Sequence, residues 1–280
     1  MVMKLEEQFL AAKTGREADC EDAIYVGEDF VAIVDGVSSK TARRWNGATG
    51  GRLASQTILA AMPSMPSAAT FREVVDRLTA TLRELYLHYN CFDLVERDPR
   101  QRAAAAMVIY SRARRELWSV GDCQALIGDK FVCHRKYVDE VTTATRAYYL
   151  KSELLRGADA SALIENDPGR AFISELLERQ TYFQNNPAAG EYFYAMLDGL
   201  PVPDQGLFVQ PIPAQTTSLV LASDGYPVLK STLKKSEEAL QAVIQNDPLL
   251  IESYKSTKGL RAGWLSFDDR AYLRLTIPSL

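Results

Sequence analysis

Between residues 71 and 92 the apolar positions Phe71, Val74, Val75, Leu78, Leu82, Leu85 and Tyr89 recur at steps of three and four, which predicts one long amphipathic helix. A second helical pattern runs over 48–62 through Leu53, Ile58, Leu59 and Met62, and Pro63 and Pro66 stop it. Elsewhere the period shortens. Residues 23–26 and 30–34 are short runs rich in Ile, Val, Tyr and Phe separated by Gly27-Glu28-Asp29, which predicts a hairpin. Residues 106–111, 116–120, 125–127 and 130–133 predict a meander of antiparallel strands. Residues 136–203 are mostly helical in composition, with Pro168 at a helix start and Asn185-Asn186-Pro187 at a stop. Strands are expected again at 205–209, 218–222 and 270–277, with a helix over 236–245. Strands at both ends with helices between them predict an α+β fold whose sheets join distant pieces, in a single domain over 1–280.

Composition narrows the function classes. With 280 residues, 32 Lys plus Arg against 36 Asp plus Glu and a net charge of -4, the chain can bury a large core and carries no general attraction to nucleic acid or anionic lipid. No apolar run is long enough to span a bilayer, and the first residues lack the pattern of a secretory signal. A cytoplasmic protein is therefore expected. Cys20, Cys91, Cys123 and Cys133 lack the spacing of a zinc knuckle or a disulfide framework and read as reduced thiols.

The candidate chemistry rests on carboxylates. His88 and His134 are the two histidines of the sequence, too few for a histidine-rich metal site, and His88 sits in the strongly periodic helix. Asn46 to Gly51 is glycine-rich but has no following lysine, so it does not read as a phosphate-cradling loop. Acidic residues, in contrast, collect at strand ends: Glu21-Asp22 before the first hairpin strand, Asp35-Gly36 after the second, Ser223-Asp224-Gly225 after strand 218–222, and Asp268-Asp269 before the last strand. Hard divalent cations prefer such oxygen ligands converging from separate parts of a fold. Each alone is also an ordinary turn residue.

In this order the segments resemble the motifs of the protein phosphatase 2C (PPM-type) family: Cys20-Glu21-Asp22-Ala23, the strand ending in Asp35-Gly36, Ser119 to Ala125 around Gly121-Asp122, Leu221 to Gly225, and Asp268-Asp269-Arg270-Ala271. The resemblance implies a four-layer α-β-β-α sandwich of two antiparallel sheets flanked by helices, with two Mg²⁺ or Mn²⁺ ions at one end. It also implies that Asp35 bridges both metals, the Gly36 carbonyl binds one, Asp224 and Asp268 complete the other, and Glu21 and Asp22 hold metal-bound waters. Asp35, Asp224 and Asp268 would be catalytic, and Asp122 matches an aspartate of a third metal site whose second acidic contributor is replaced by Val228.

Two features depart from the family pattern. Val37, Ser38 and Ser39 stand where a histidine or methionine and two glycines are usual, so a general-acid histidine is absent there. Glu17 stands where the phosphate-binding arginine is usual, which leaves Arg16 as the candidate and Arg43 or Arg44 as substitutes. The expected activity is metal-dependent hydrolysis of phosphoserine or phosphothreonine in a protein partner. The alternatives are a degenerate phosphatase-like binding domain and a phosphatase of a small phosphorylated metabolite. Residues 136–203 are expected to form a helical flap or insertion, read either as a substrate- or partner-recognition segment or as a passive structural insertion.

Overall fold

The computed structural model describes residues 3–279. Its strands are, in chain order, β1 (Lys4–Ala11), β2 (Ala23–Val26), β3 (Phe30–Gly36), β4 (Ala105–Ser111) and β5 (Glu116–Val120). They continue as β6 (Gln124–Ile127), β7 (Lys130–Cys133), β8 (Phe208–Pro211), β9 (Ser218–Ala222) and β10 (Arg270–Thr276). Two antiparallel sheets result, one in the order β1-β10-β9-β6-β7 and the other β2-β3-β4-β5-β8. The helices are α1 (Gly50–Ala61), α2 (Phe71–His88), α3 (Phe92–Arg97), α4 (Tyr137–Leu155), α5 (Ala160–Asn166), α6 (Pro168–Phe172), α7 (Ser174–Arg179) and α8 (Leu233–Asn246).

The layers follow from the alternation of side chains along β3 and β4. Val31 and Ile33 of β3, with Val108 and Tyr110 of β4, face the second sheet and pack on Leu219 and Leu221 of β9 and Leu273 of β10. Their neighbours Ala32, Val34, Met107 and Ile109 face the other way, onto Ile58 of α1 and Val74, Leu78 and Leu82 of α2. Both faces of this sheet are thus buried, so β3 and β4 read as continuous apolar runs. The outer face of the β9 sheet is covered by Tyr226, Leu229 and Leu233 packed on Val220 and Tyr272. This is the expected four-layer α-β-β-α arrangement.

Local chemistry sets the element boundaries. Thr70 and Glu73 form a reciprocal capping box that starts α2. That helix ends earlier than its apolar stripe suggests, at His88, because Asn90 turns the chain with a φ of 50° before α3 begins. β1 was not expected. Half of its residues are polar, as suits an edge strand that pairs only with β10. β8 begins at Phe208 rather than at residue 205, since Asp204–Gly206 is a single 3-10 turn. No helix among the described residues is long and apolar enough to cross a membrane.

Candidate active site

Register brings the carboxylates to one end of the sandwich. Ala222, the last residue of β9, lies between Tyr272 of β10 and Gln124 of β6. The residues just beyond, Ser223 and Asp224, therefore emerge beside Asp122 on one side and Asp268-Asp269 on the other. Ser223 locks the junction, its N–H donating to the Ala271 carbonyl at 3.1 Å and its hydroxyl accepting from the Ala271 N–H at 2.9 Å. Asp35, the penultimate residue of β3, lies opposite Ala106, and its Oδ2 accepts from the Asp224 N–H at 3.5 Å. Asp35, Gly36, Asp122, Asp224 and Asp268 line one cavity of about 670 Å³. Glu21 and Asp22 lie buried behind its wall, 5% and 2% exposed.

The glycines of this end serve close backbone approach. A Cβ on Gly36 would strike the carbonyls of Glu21 and Gly51, and one on Gly225 would strike the Asp269 carbonyl. Asp-Gly thus recurs at these strand ends because the chain behind each ligand candidate runs against another ligand segment. Gly50 and Gly51, in the glycine-rich stretch of the sequence, form the first turn of α1 against this junction. Thr49 caps that helix, accepting from the Arg52 N–H while donating to Glu21 Oε1 at 2.6 Å. Ser38 donates to Glu21 Oε2 at 2.9 Å, so Glu21 is held on both oxygens.

The acids divide into two groups by what neutralises them. Lys13 Nζ lies 3.3 Å from Glu21 and 3.1 Å from Asp269; Lys136 lies 2.7 Å from Asp122; Lys258 lies 2.6 Å from Asp268. Burial opposes ionisation of Asp268, but Lys258 and Lys13 outweigh it and hold the carboxyl below the usual range. Lys13 and Lys136 are pushed above the ordinary lysine range because their acidic neighbours outweigh the cost of burying the ammonium. Asp22, Asp35 and Asp224 have no salt-bridge partner among the described residues. Burial, and then the neighbouring carboxylates, push all three well above the usual carboxyl range. Asp22 Oδ2 is buried with no hydrogen-bond partner.

The donor chemistry fits a hard divalent cation: oxygen ligands, an orphaned carboxylate oxygen, and like charges that burial makes costly until a cation neutralises them. As the side chains stand, no three His, Cys, Asp or Glu groups among the described residues converge tightly enough to hold a metal. In this arrangement Lys258 occupies Asp268.

Several sequence candidates lie elsewhere. Arg16 is 78% exposed and pairs with Asp19, with its Nε donating at 2.8 Å; it lines neither main cavity. Arg43 stacks over the Trp45 ring and Arg44 is exposed. His134 stacks on Phe208 and His88 meets Tyr89 edge-on, and neither histidine lines the cavity. Lys13, Lys136 and Lys258 are the residues that sequence reading missed. Their partners lie across the fold or in loops, and a lysine without a helical or strand pattern carries no signal of its partner.

The chain has the fold of the serine/threonine phosphatases of the 2C type. Serine/threonine phosphatase Stp1 from Staphylococcus aureus superposes over 99% of this chain and 96% of its own with a TM-score of 0.51 at 14% identity. The Mycobacterium tuberculosis serine/threonine phosphatase PstP/Ppp aligns over 99% of this chain and 100% of its own, with a TM-score of 0.49 at 15% identity. The catalytic domain of PstP in complex with two manganese ions aligns over 99% of both chains, with a TM-score of 0.49 at 14% identity. No family model matches the sequence, and no curated protein matches it either.

Proposed function

We propose that this chain is a metal-dependent phosphomonoesterase acting on phosphoserine or phosphothreonine in a protein partner. The observation that carries the reading is the meeting of Asp35 and Asp224, 189 residues apart in sequence, on one cavity wall at one end of the sandwich, with Asp22 buried at the base of the same hairpin as Asp35 and none of the three paired with a cation among the described residues. Asp35, the Gly36 carbonyl, Asp224 and, after release of Lys258, Asp268 would hold divalent cations, with Glu21 and Asp22 behind them to hold metal-bound waters. Two Mg²⁺ or Mn²⁺ ions bound there would supply an activated water and neutralise charge on the phosphoryl group.

The chain's own residues orient this chemistry. The Asp224 N–H fixes one oxygen of Asp35, while Thr49 and Ser38 fix both oxygens of Glu21, so the acids are held by groups that have partners of their own. Ser39 accepts from the Gly50 N–H at 2.9 Å, which pins the 37–39 loop to α1. With no histidine in that loop, protonation of the leaving alkoxide falls to solvent in the cavity.

A second reading has its own observation. The ammonium of Lys258 at 2.6 Å from Asp268 supplies internally part of the charge that a metal would bring, as a phosphatase-like binding domain without turnover would. Hydrolysis of p-nitrophenyl phosphate and of a phosphothreonine peptide, with and without Mn²⁺, separates the two. Turnover that needs Mn²⁺ and falls at least ~100-fold in Asp35→Asn and Asp224→Asn, an extent within reach of lost metal-assisted catalysis, supports the enzyme. Absence of turnover together with absence of Mn²⁺ binding by calorimetry leaves the binding domain.

A further inference from the structure

We infer that Lys40 and Arg170 together form an anion site that receives the phosphate group, in the role the sequence pattern gives to Arg16. The site takes its substrate class from the phosphatase reading above, but its geometry stands without it. Six cations line the main cavity: Lys40, Arg135, Lys136, Arg170, Lys255 and Lys258. Two of these are already spent, Lys136 on Asp122 and Asp139 and Lys258 on Asp268. Arg135 and Lys255 are exposed at the rim. Lys40 and Arg170 are partly buried and have no carboxylate partner within salt-bridge distance among the described residues.

Arg170 is positioned as a ligand-binding arginine would be. Its backbone N–H donates to Asp167 Oδ1 at 2.9 Å, fixing the start of α6, and Gly169 beside it packs on Leu150 and Arg146. Its Nη1 donates to the Thr257 carbonyl at 3.0 Å, which orients the guanidinium and leaves donors of its planar fork for a ligand. Lys40 follows the Asp35-Gly36 corner by four residues, so the loop that carries the first acid also carries this cation.

Two cations that line the same cavities, partly out of water and, among the described residues, without a carboxylate partner, are costly unless an anion joins them. Burial first, and then Arg170, Lys258 and Lys136, push the Lys40 ammonium down to about 8. Burial likewise lowers Arg170 against the pull of Asp167. A phosphate dianion would reverse both effects, and its charge and its oxygens match a guanidinium fork and an ammonium.

Position then selects phosphate over a simple counter-ion. Lys40 and Arg170 line both the main cavity and a second one of about 530 Å³ that continues past Ser174 and Arg261. They sit where the two meet. A phosphate monoester held there presents one side to the cavity of Asp35 and Asp224. The rest of the molecule has room in the second cavity. Because Arg170 comes from the 136–203 segment, that segment supplies a binding group rather than cover alone.

The test is calorimetric titration of the full chain with inorganic phosphate and with a phosphothreonine peptide, in Mn²⁺ and again in chelator. Lys40→Met and Arg170→Met are each expected to weaken phosphate binding by about tenfold or more, as loss of a charge-assisted contact does. Lys40→Arg is expected to retain most of the affinity, and serves if Lys40→Met does not fold. Loss of affinity in Arg16→Met with none in Lys40→Met and Arg170→Met overturns the assignment. So does a wild type that binds phosphate in neither medium. Mn²⁺-dependent hydrolysis of the peptide, followed in parallel, keeps the two proposals apart. Wild-type turnover and affinity in both methionine variants would sink the site and leave the phosphatase reading; Lys40- and Arg170-dependent affinity without wild-type turnover would do the reverse.

Discussion

Lys258 Nζ lies 2.6 Å from Oδ2 of Asp268, and Lys13 Nζ lies 3.6 Å from its other oxygen. The carboxylate that the sequence pattern offers to a metal is thus already the centre of an ion-pair network. Any cation that takes Asp268 has to displace an ammonium, and the affinity measured for that cation is a net exchange.

Lys258→Met is therefore expected to raise Mn²⁺ affinity by roughly tenfold, equivalent to about 1.4 kcal/mol of removed competition. Calorimetric titration of Mn²⁺ into wild type and variant measures it. Weaker binding in the variant would mean that Lys258 orients Asp268 for the metal instead of competing for it.

The acids without cations should cost the metal-free fold stability. The Asp35 carboxyl is pushed up by burial, then by Asp22, Asp268 and Asp122, so the folded chain holds a proton that the unfolded chain releases above about pH 4. Stability of the metal-free protein should fall as pH rises from there toward the folded value. Asp35→Asn, which does not titrate, should melt higher than wild type at neutral pH without metal, by about 2–4 °C for each kcal/mol of relieved repulsion. Mn²⁺ should raise the melting temperature of wild type and have little effect on the variant. A variant that melts lower in chelator would contradict this.

Lys40 presents the opposite titration. With its ammonium lowered to about 8 from an ordinary value near 10.5, the unfolded chain binds a proton that the folded chain lacks between these values, so stability rises with pH across that window. At neutral pH the buried charge is a cost, on the order of 1–3 kcal/mol at about 1.4 kcal/mol per pKa unit. Lys40→Met should accordingly be more stable than wild type at pH 7, with the difference fading toward pH 10.5. Denaturant melts at the two pH values check it; an advantage that does not change with pH would point to packing instead of charge.

Arg146 ties the helical segment to the loop that carries Lys258. It is fully buried, with Nη2 3.0 Å from Asp167 and Nη1 donating to the carbonyls of Leu249 at 2.9 Å and Ser256 at 3.0 Å. Arg146→Met would leave a carboxylate and these carbonyls unpaired, and a loss of about 3–5 kcal/mol is expected. Chemical denaturation reads the loss directly. A variant within 1 kcal/mol of wild type, roughly the range of surface substitutions, would show that water replaces the guanidinium.

Much of the fold was legible because its strands are short apolar runs with turn residues at their ends, as at 23–26 and 30–34. β1 was not, since Glu6 and Glu7 interrupt its apolar positions and its partner lies near the other end of the chain. The ordered acids share one end of the sandwich because each lies at or beside the end of a strand there. What neutralises them was illegible. Lys13 meets Asp269 across 256 residues, and Arg170 reaches the cavity from a helix whose position depends on Asp167 and Arg146. Such pairings are set by tertiary geometry and leave no local pattern. Arg16 lies outside the cavity for a related reason: a nearby acid, Asp19, pairs with it.

The sheets place one further demand on the chain. β3 delivers Asp35 early, yet Asp224 follows β9, Asp268 precedes β10, and β10 is the strand on which β1 closes. During synthesis, then, Asp35 has to wait for more than two hundred residues before the rest of its cluster is available, the separation from Asp224 alone being 189. Slow, late closure of this kind is what high contact order costs. It also means that a nascent chain does not bring these acids together until residue 268 has left the ribosome.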